Sequence, residues 1–389
     1  MDIIKKTKSE ATKKVDAQRN KLIALSHKIH ENPEPGFNEV KASKWLSAYL
    51  ETNGFKIERG ICQLPTAFRG SYGNGRPHIA FMAEYDALPE IGHACGHNII
   101  CTAAVGAAVS TKSAIDQFGG SIVVIGTPAE EIYGGKSIMA ERGAFDDIDI
   151  AMIVHPSTSN LASARALACI SLEVEFTGKA AHAAASPQEG VNALEAMILS
   201  FNGINSLRQH ISEQARIHGI ITKGGDAPNI VPAYTAGSFL VRAIDDAYLE
   251  ELKGKVLNCF KAASLATGAK LKYRWKDYYA PLTINQTLSQ VFANNMRTLG
   301  REPQPLPERG FGSSDVGNVS RVVPTIHPEV AIAPRNISLH SAEFAEAAVS
   351  KEGNRGLLDG AKALAMTAVD LLADKDLVRK IKEEFFGTK

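Results

Sequence analysis

Residues 91–100, IGHACGHNII, place His93, Cys95 and His97 within five positions. Two readings compete for such a segment. One is a buried cysteine with histidine neighbours. The other is part of a metal centre, because imidazole nitrogen and thiolate sulfur are the donors that borderline divalent cations prefer. A Cys-x-His segment does not complete a site by itself, so carboxylates and further histidines must come from elsewhere. Three short stretches hold such groups: Glu84-Tyr85-Asp86, Thr127-Pro128-Ala129-Glu130-Glu131 and His155-Pro156. Two metals at roughly 3.5–4 Å would let one place both activate a water and polarise a carbonyl. An adjacent glutamate pair allows a division of labour, one carboxylate binding metal and its neighbour moving a proton.

The order of elements explains how these separated groups could meet. HIAFMA (78–83), SIVVIG (121–126) and IDIAMIV (148–154) read as short buried strands, and each runs directly into one of the polar clusters. Helical spacing of apolar residues recurs over 10–30, 39–52, 98–115 and about 135–142. This alternation predicts an α/β domain with a largely parallel sheet. In open α/β sheets ligands collect beyond the carboxyl ends of the strands. One rim therefore receives candidates from several strands, and the IGHACGH loop can reach the same rim. A Glu-Glu pair is commonly a solvated turn, but this one follows a buried strand directly. His155 could instead cap a strand end. His93 is read as supporting a ligand from behind or facing substrate. His27, His30, His78, His210 and His218 are read as structural, Cys101 as core, and His327 is left open.

The pattern changes near residue 168. CISLEVEF (169–176) alternates like a half-exposed strand, and 189–211 has an amphipathic helical period. Strands are expected at 217–224, 234–243 and 269–275, with a second helix over 245–266. The order β-α-β-β-α-β describes a ferredoxin-like unit. A strand at 330–334 and helix over 355–385 resume the first pattern. The domains are therefore expected at 1–167 and 283–389 for the α/β part and at 168–282 for an insertion, whose sheet has one face suited to packing on a second copy.

Composition narrows the function. The chain has 389 residues, 44% hydrophobic and 22% charged, with net charge +1. Such balance argues against nucleic acid as a partner, and against a polybasic membrane patch. Five widely spaced cysteines without a CxxC suggest a reducing compartment. The N-terminal stretch is charged and lacks the apolar core of a signal peptide. No run is expected to approach membrane-span length. A cytoplasmic location is the expectation.

AEYDALP (83–89), HACGHN (93–98), TPAEE (127–131), HP (155–156), GKAAHAAASPQEGVNAL (178–194) and NIVP (229–232) together resemble the M20 metallopeptidase family, in its amidohydrolase branch of aminoacylase-like enzymes, aminobenzoyl-glutamate hydrolases and small dipeptidases. SHKIHENPEPGFNEVKAS (26–43), FGSSDVGNVSRVVPTIHP (311–328) and LHSAEF (339–344) extend the match over nearly the whole chain. The resemblance implies a catalytic α/β domain with a mostly parallel sheet and an inserted ferredoxin-like α+β lid or dimerisation domain. It implies two divalent ions, Zn or Mn, with Co or Ni as alternatives, held by Cys95, His97, Glu131, His155 and His340. It makes Glu130 the base for the bridging water and Asp86 the acid that orients a ligand. It makes His182 an oxyanion donor, often in a partner subunit's site, and Asn229 and Arg242 carboxylate-binding residues. A turn Asn and a strand-end salt bridge are the plainer readings of the last two. The implied substrate is a small amide with a free carboxylate: a dipeptide, an N-acyl amino acid or an aminobenzoyl-glutamate. A homodimer is implied as well. Glu84-Tyr85-Asp86 departs from the common Asp-Met-Asp, and Asn98 from the usual Asp after Cys-Gly-His. Two rivals remain: a hydrolase using Cys95 as nucleophile, and a non-catalytic or partner-dependent metal-binding subunit.

Overall fold

The computed structural model describes residues 3–307 and 311–387. The described residues divide into two compact units: 3–165 with 283–307 and 318–387, and 166–282 with 311–317. In chain order the elements begin α1 (Ile3–His30), α2 (Val40–Thr52), β1 (Lys56–Arg59), β2 (Phe68–Gly73), β3 (His78–Glu84), α3 (His97–Phe118) and β4 (Ser121–Thr127). They continue α4 (Glu130–Tyr133), α5 (Gly135–Glu141), β5 (Ile150–Met152), β6 (His155–Ser157), β7 (Ala168–Thr177), α6 (Ala193–Leu207), β8 (Arg216–Lys223), β9 (Tyr234–Ala243), α7 (Asp246–Thr267) and β10 (Lys270–Tyr279). The last are α8 (Gln286–Thr298), α9 (Val316–Val319), β11 (Thr325–Ile326), β12 (Glu329–Ala331), α10 (Ala342–Ala347), α11 (Lys351–Ala373) and α12 (Lys375–Gly387).

The first unit is built on a sheet of order β1-β2-β4-β3-β5-β11. β4, β3, β5 and β11 run parallel, while β2 pairs antiparallel with both β1 and β4. β3 and β4 are buried along nearly their whole length, as their unbroken apolar runs require of strands covered on both faces. The edge strand β1 was not foreseen: its Lys-Ile-Glu-Arg sequence is mostly exposed and carries no apolar alternation. IDIAMIV contributes only three strand residues, and VAIAP becomes β12, paired with β6 in a separate ribbon. The helix expected over 355–385 is two helices, broken at Asp374, and α8 was missed.

α3 corrects another expectation. Over His97–Phe118 it is long and apolar enough to cross a membrane by length and composition. Most of it is buried inside the unit, against α1 and α11. Its alanines at 103, 104, 107 and 108 let neighbouring helices approach closely, so it forms a core. Each fully buried Leu or Ile on the facing helices, such as Leu22, Ile29 and Leu364, contributes about 1.5–3 kcal/mol.

The second unit has the expected order, β7-α6-β8-β9-α7-β10, on an antiparallel sheet of order β10-β7-β9-β8. Alternate residues of β7, Leu172, Val174 and Phe176, pack with Phe239 and Val241 of β9 against Leu252, Val256 and Phe260 of α7. Asn192 and Asp245 start the two helices by accepting hydrogen bonds from their first-turn N–H groups. Such caps contribute about 1 kcal/mol each. This unit also takes residues 311–317, where Gly312 O accepts the Leu167 N–H at 2.9 Å.

Candidate metal centre and active site

All the metal-ligand candidates lie in the first unit. Glu84 closes β3 opposite Thr127, which closes β4, so the polar segments after both strands leave the sheet at the same end. Asp86, fully buried, joins them. Its Oδ1 accepts His97 Nδ1–H at 3.1 Å, its backbone oxygen accepts the same group at 2.8 Å, and its Oδ2 accepts the Glu131 N–H at 3.0 Å. One carboxylate thus orients both an imidazole and the glutamate segment. Burial opposes a charge on His97, but the Glu84 and Asp86 carboxylates outweigh it and raise its pKa well above the ordinary value. With Nδ1 donating to Asp86, Nε2 is the nitrogen a metal would take, displacing its proton.

The glutamates are presented by a strained turn. Ala129 takes a left-handed conformation (φ 61°), and its N–H is held at 2.8 Å by Glu39 Oε1. Glu39 also accepts Thr66 Oγ1–H at 2.9 Å. Burial pushes the Glu39 carboxyl up to about 7. This residue was missed by sequence reasoning, although it lies within the NEV stretch. A Cβ at Gly135 would overlap the Pro128 carbonyl oxygen, so the turn after the glutamates closes only around glycine. Gly96, between Cys95 and His97, is left-handed (φ 76°) and faces Pro156 so closely that a Cβ would lie 2.5 Å from its Cγ. It is the left-handed cap from which α3 starts, with His97 as its first residue.

The ligand atoms converge. Cys95 Sγ is 3.5 Å from His155 Nε2 and 3.3 Å from His340 Nε2. Glu131 Oε1 is 3.6 Å from both His97 Nε2 and His340 Nε2. Cys95, His97 and His155 form one group with all ligand atoms within 4.8 Å of one another; Cys95, Glu131 and His340 form a second; Glu84, His97 and Glu130 a third. His155 is steered by Nδ1–H donating to the Pro156 carbonyl at 2.6 Å. His340, half-exposed and left-handed (φ 61°), is anchored by its N–H on Ala94 O at 3.0 Å.

These residues fit a metal on two counts. His97 Nε2 and Glu131 Oε1 are buried without a hydrogen-bond partner. Leaving a buried polar atom unsatisfied costs about 1–3 kcal/mol, which a cation shared between them would offset. The donors are thiol, imidazole and carboxylate, the set that suits Zn and its neighbours. Burial, then the Glu131 charge, raises the Cys95 thiol, and burial with the His97 charge pushes His155 down to about 4. Neutral imidazole is the ligating form, and a cation would draw the proton from the thiol.

Other histidines find their places. His93 is buried, stacked 6.0 Å from the His30 ring, and belongs to none of the three groups. Burial, then the His97 charge, holds it near 3, so it is neutral. His327 packs its ring 5.4 Å from that of His155 and is likewise pushed down to about 3 by burial. Lys136, fully buried and ion-paired with Glu84, was not singled out by sequence.

The remaining candidates lie in the second unit. His182 Nδ1 accepts the N–H groups of Ala184 (3.2 Å) and Ala185 (3.1 Å), which leaves the proton on Nε2 as an exposed donor. Asn229, also exposed, accepts the Ala183 N–H through its backbone oxygen at 3.0 Å, so it lies beside His182. Arg242, on β9, donates to Ser313 Oγ at 3.2 Å, and its Nε is buried without a hydrogen-bond partner. A salt bridge is therefore not what holds it, among the described residues.

Donor set and fold together define a metal-dependent amidohydrolase with a mostly parallel α/β domain and an inserted α+β domain. The chain belongs to peptidase family M20/M25/M40, whose model matches residues 80–359. It is 38% identical to the Xaa-Arg dipeptidase of Mus musculus, over 97% of this chain and 92% of that protein. It is 28% identical to a subunit of the p-aminobenzoyl-glutamate hydrolase of Escherichia coli K12, over 95% and 93%. Among solved structures, a dinuclear metal-binding peptidase of the M20 family from Bacillus subtilis has the same fold, with TM-score 0.71 and 19% identity over 92% of this chain and 99% of that one. A Staphylococcus aureus aminohydrolase superposes with TM-score 0.78 at 19% identity, over 94% and 99%.

Proposed function

We propose that this protein hydrolyses the amide bond of a dipeptide next to its free carboxylate, and that a basic C-terminal residue is preferred. The observation that carries the reaction is the convergence of Cys95, His97, Glu131, His155 and His340, with Asp86 orienting His97 and Glu131 together. The similarity to the mouse Xaa-Arg dipeptidase along nearly the whole chain supports the substrate class. N-acyl amino acids and aminobenzoyl-glutamate are the neighbouring candidates, the latter favoured by the Escherichia coli relative.

Cys95, His97, Glu131, His155 and His340 would hold two divalent ions, Zn or Mn. Bound there, such ions supply Lewis acidity at the scissile carbonyl and lower the pKa of water. Glu130 takes the proton of the attacking water and delivers it to the leaving amine. The Nε2–H of His182 donates to the carbonyl oxygen as it gains charge, a role supported by the tautomer that Ala184 and Ala185 impose. Asn229 and Arg242 bind the substrate carboxylate, Arg242 in the bidentate manner open to a guanidinium. A Cys95 nucleophile would leave the carboxylates and His340 without a role.

A homodimer belongs to the same proposal. β8 is the edge strand of the second unit and exposes Ile220 and Ile221, and α6 exposes Ile198 and Leu199. A partner-dependent assembly is the second reading, since the Escherichia coli relative is named as one subunit of a hydrolase. A cytoplasmic location is supported by all five cysteines being unbridged. The deciding experiment is a hydrolysis screen over dipeptides, N-acyl amino acids and aminobenzoyl-glutamate, with free and amidated carboxyl ends, before and after chelation. We expect activity on dipeptides with a free C-terminal Arg or Lys, lost on chelation and restored by Zn or Mn. Chelator-resistant hydrolysis blocked by a thiol reagent would instead support the Cys95 nucleophile.

A further inference from the structure

Glu84 and Lys136 are both closed to solvent and form an ion pair through Glu84 Oε2. Burying such a pair is expensive, and an apolar pair of equal volume would commonly serve stability as well. Its other oxygen explains its presence better. Glu84 Oε1 lies 2.9 Å from His97 Nε2, yet that nitrogen makes no hydrogen bond. The oxygen therefore stands off the axis along which an N–H would point. His97 donates through Nδ1 to Asp86, and its Nε2 faces Oε1 with no hydrogen bond between them. A proton on that axis does not relieve the contact; a cation beside both atoms does. Two donors each about 2.1 Å from one cation are about 3.0 Å apart at a right angle and about 3.4 Å apart at the tetrahedral angle, so Glu84 Oε1 and His97 Nε2 need move apart by at most about 0.5 Å to share an ion. Glu130 completes the group: one ligand atom each of Glu130, Glu84 and His97 lie mutually within 4.8 Å.

We propose that Glu84 is a sixth metal ligand, through Oε1, and that Lys136 is the positioning residue that aims it. The proposal rests on the metal-dependent reading of the site. Charge supports it. The carboxylates Glu84, Asp86, Glu130 and Glu131 with the Cys95 thiolate carry five negative charges. Two divalent ions supply four positive charges, and the Lys136 ammonium supplies the fifth. The one Glu84 carboxylate meets Lys136 with Oε2 and faces His97 Nε2 with Oε1, so the ammonium fixes the direction in which Oε1 points.

The test reads metal binding, not turnover. Metal-stripped wild type and the double variant Glu84→Gln/Lys136→Met, which removes both charges together, are titrated with Zn2+ against a chromophoric chelator. Thermal melting of the stripped proteins checks folding. We expect the double variant to melt near wild type and to bind one of two Zn2+ at least tenfold more weakly. A folded double variant with both wild-type affinities would overturn the assignment. Should the variant not fold, the crystal structure of Zn2+-loaded wild type decides: Glu84 Oε1 about 2.0–2.2 Å from an ion supports it, and an oxygen beyond 3 Å from every ion overturns it. Wild type that takes up no Zn2+ overturns the metal reading itself, and this inference with it.

Discussion

Glu130 and Glu131 carry the same side chain into different surroundings. The Glu131 N–H is tied to Asp86, and its Oε1 faces the Nε2 atoms of His97 and His340. Glu130 sits instead with Glu84 and His97. Removing each should therefore do different things. Glu131→Ala is expected to lose bound metal and to melt at lower temperature. Glu130→Gln keeps the shape and removes the proton acceptor, so metal content should stay near wild type while kcat falls by ~10²–10⁴. Metal analysis beside steady-state kinetics on both variants separates the roles. A Glu130→Gln enzyme working at nearly the wild-type rate would remove Glu130 as the base.

Backbone elements hold those side chains by close approach. The turn from β4 into α4 and α5 carries both glutamates, and Gly135 lets it fold against the Pro128 carbonyl. Gly135→Ala should shift that turn at a cost of about 1–3 kcal/mol, lowering both Tm and metal content. A variant with unchanged Tm and full metal would mean the turn relaxes without moving Glu131. At the opposite end of β3, buried Asp149 accepts the His78 N–H at 2.8 Å and meets Lys382 of α12 at 2.8 Å and Arg76 at 2.7 Å. Burial alone would raise its pKa, but Lys382, the His78 N–H and Arg76 outweigh it and hold the carboxyl below its ordinary value of 3.8. A carboxyl depressed on folding stabilises the protein above its unfolded pKa, and that stability disappears as pH falls through the folded value. The Tm penalty of Asp149→Asn should accordingly be full at pH 7 and shrink below about pH 4. A penalty constant with pH would assign the residue a packing role only.

At the scale of the whole molecule, the prediction concerns assembly. Ile220 and Ile221 stand exposed on an edge strand that, among the described residues, pairs with another strand on one side only. Sedimentation of wild type should give a dimer, and Ile220→Glu with Ile221→Glu should give a folded monomer. A wild type that is monomeric and fully active would end the homodimer proposal and any need for His182 to act across subunits. The apolar helix α3 belongs to this scale too, because only its surroundings show what its composition means. Within the first unit it is covered by other helices, so its length and hydropathy describe a core element.

The chain's own periodicities determined much of this protein. Unbroken apolar runs marked β3 and β4, strict alternation marked β7, and helical spacing marked α6 and α7, because each pattern reflects local geometry within one element. The residue types at the strand ends, read with the motifs of a known family, pointed to metal and to Cys95, His97, Glu131, His155 and His340. Elements without such a pattern stayed hidden: β1 is charged and exposed, and the break between α11 and α12 carries neither Gly nor Pro. Pairing across distance was decided only by the tertiary structure. Cys95 and His340 are 245 residues apart in sequence and 3.3 Å apart in space. No local rule brings Lys136 of α5 against Glu84 of β3, or Glu39 against the turn before Glu130. Those contacts depend on strand register and on how α5 packs, and a buried charge becomes meaningful only when the charge facing it is known.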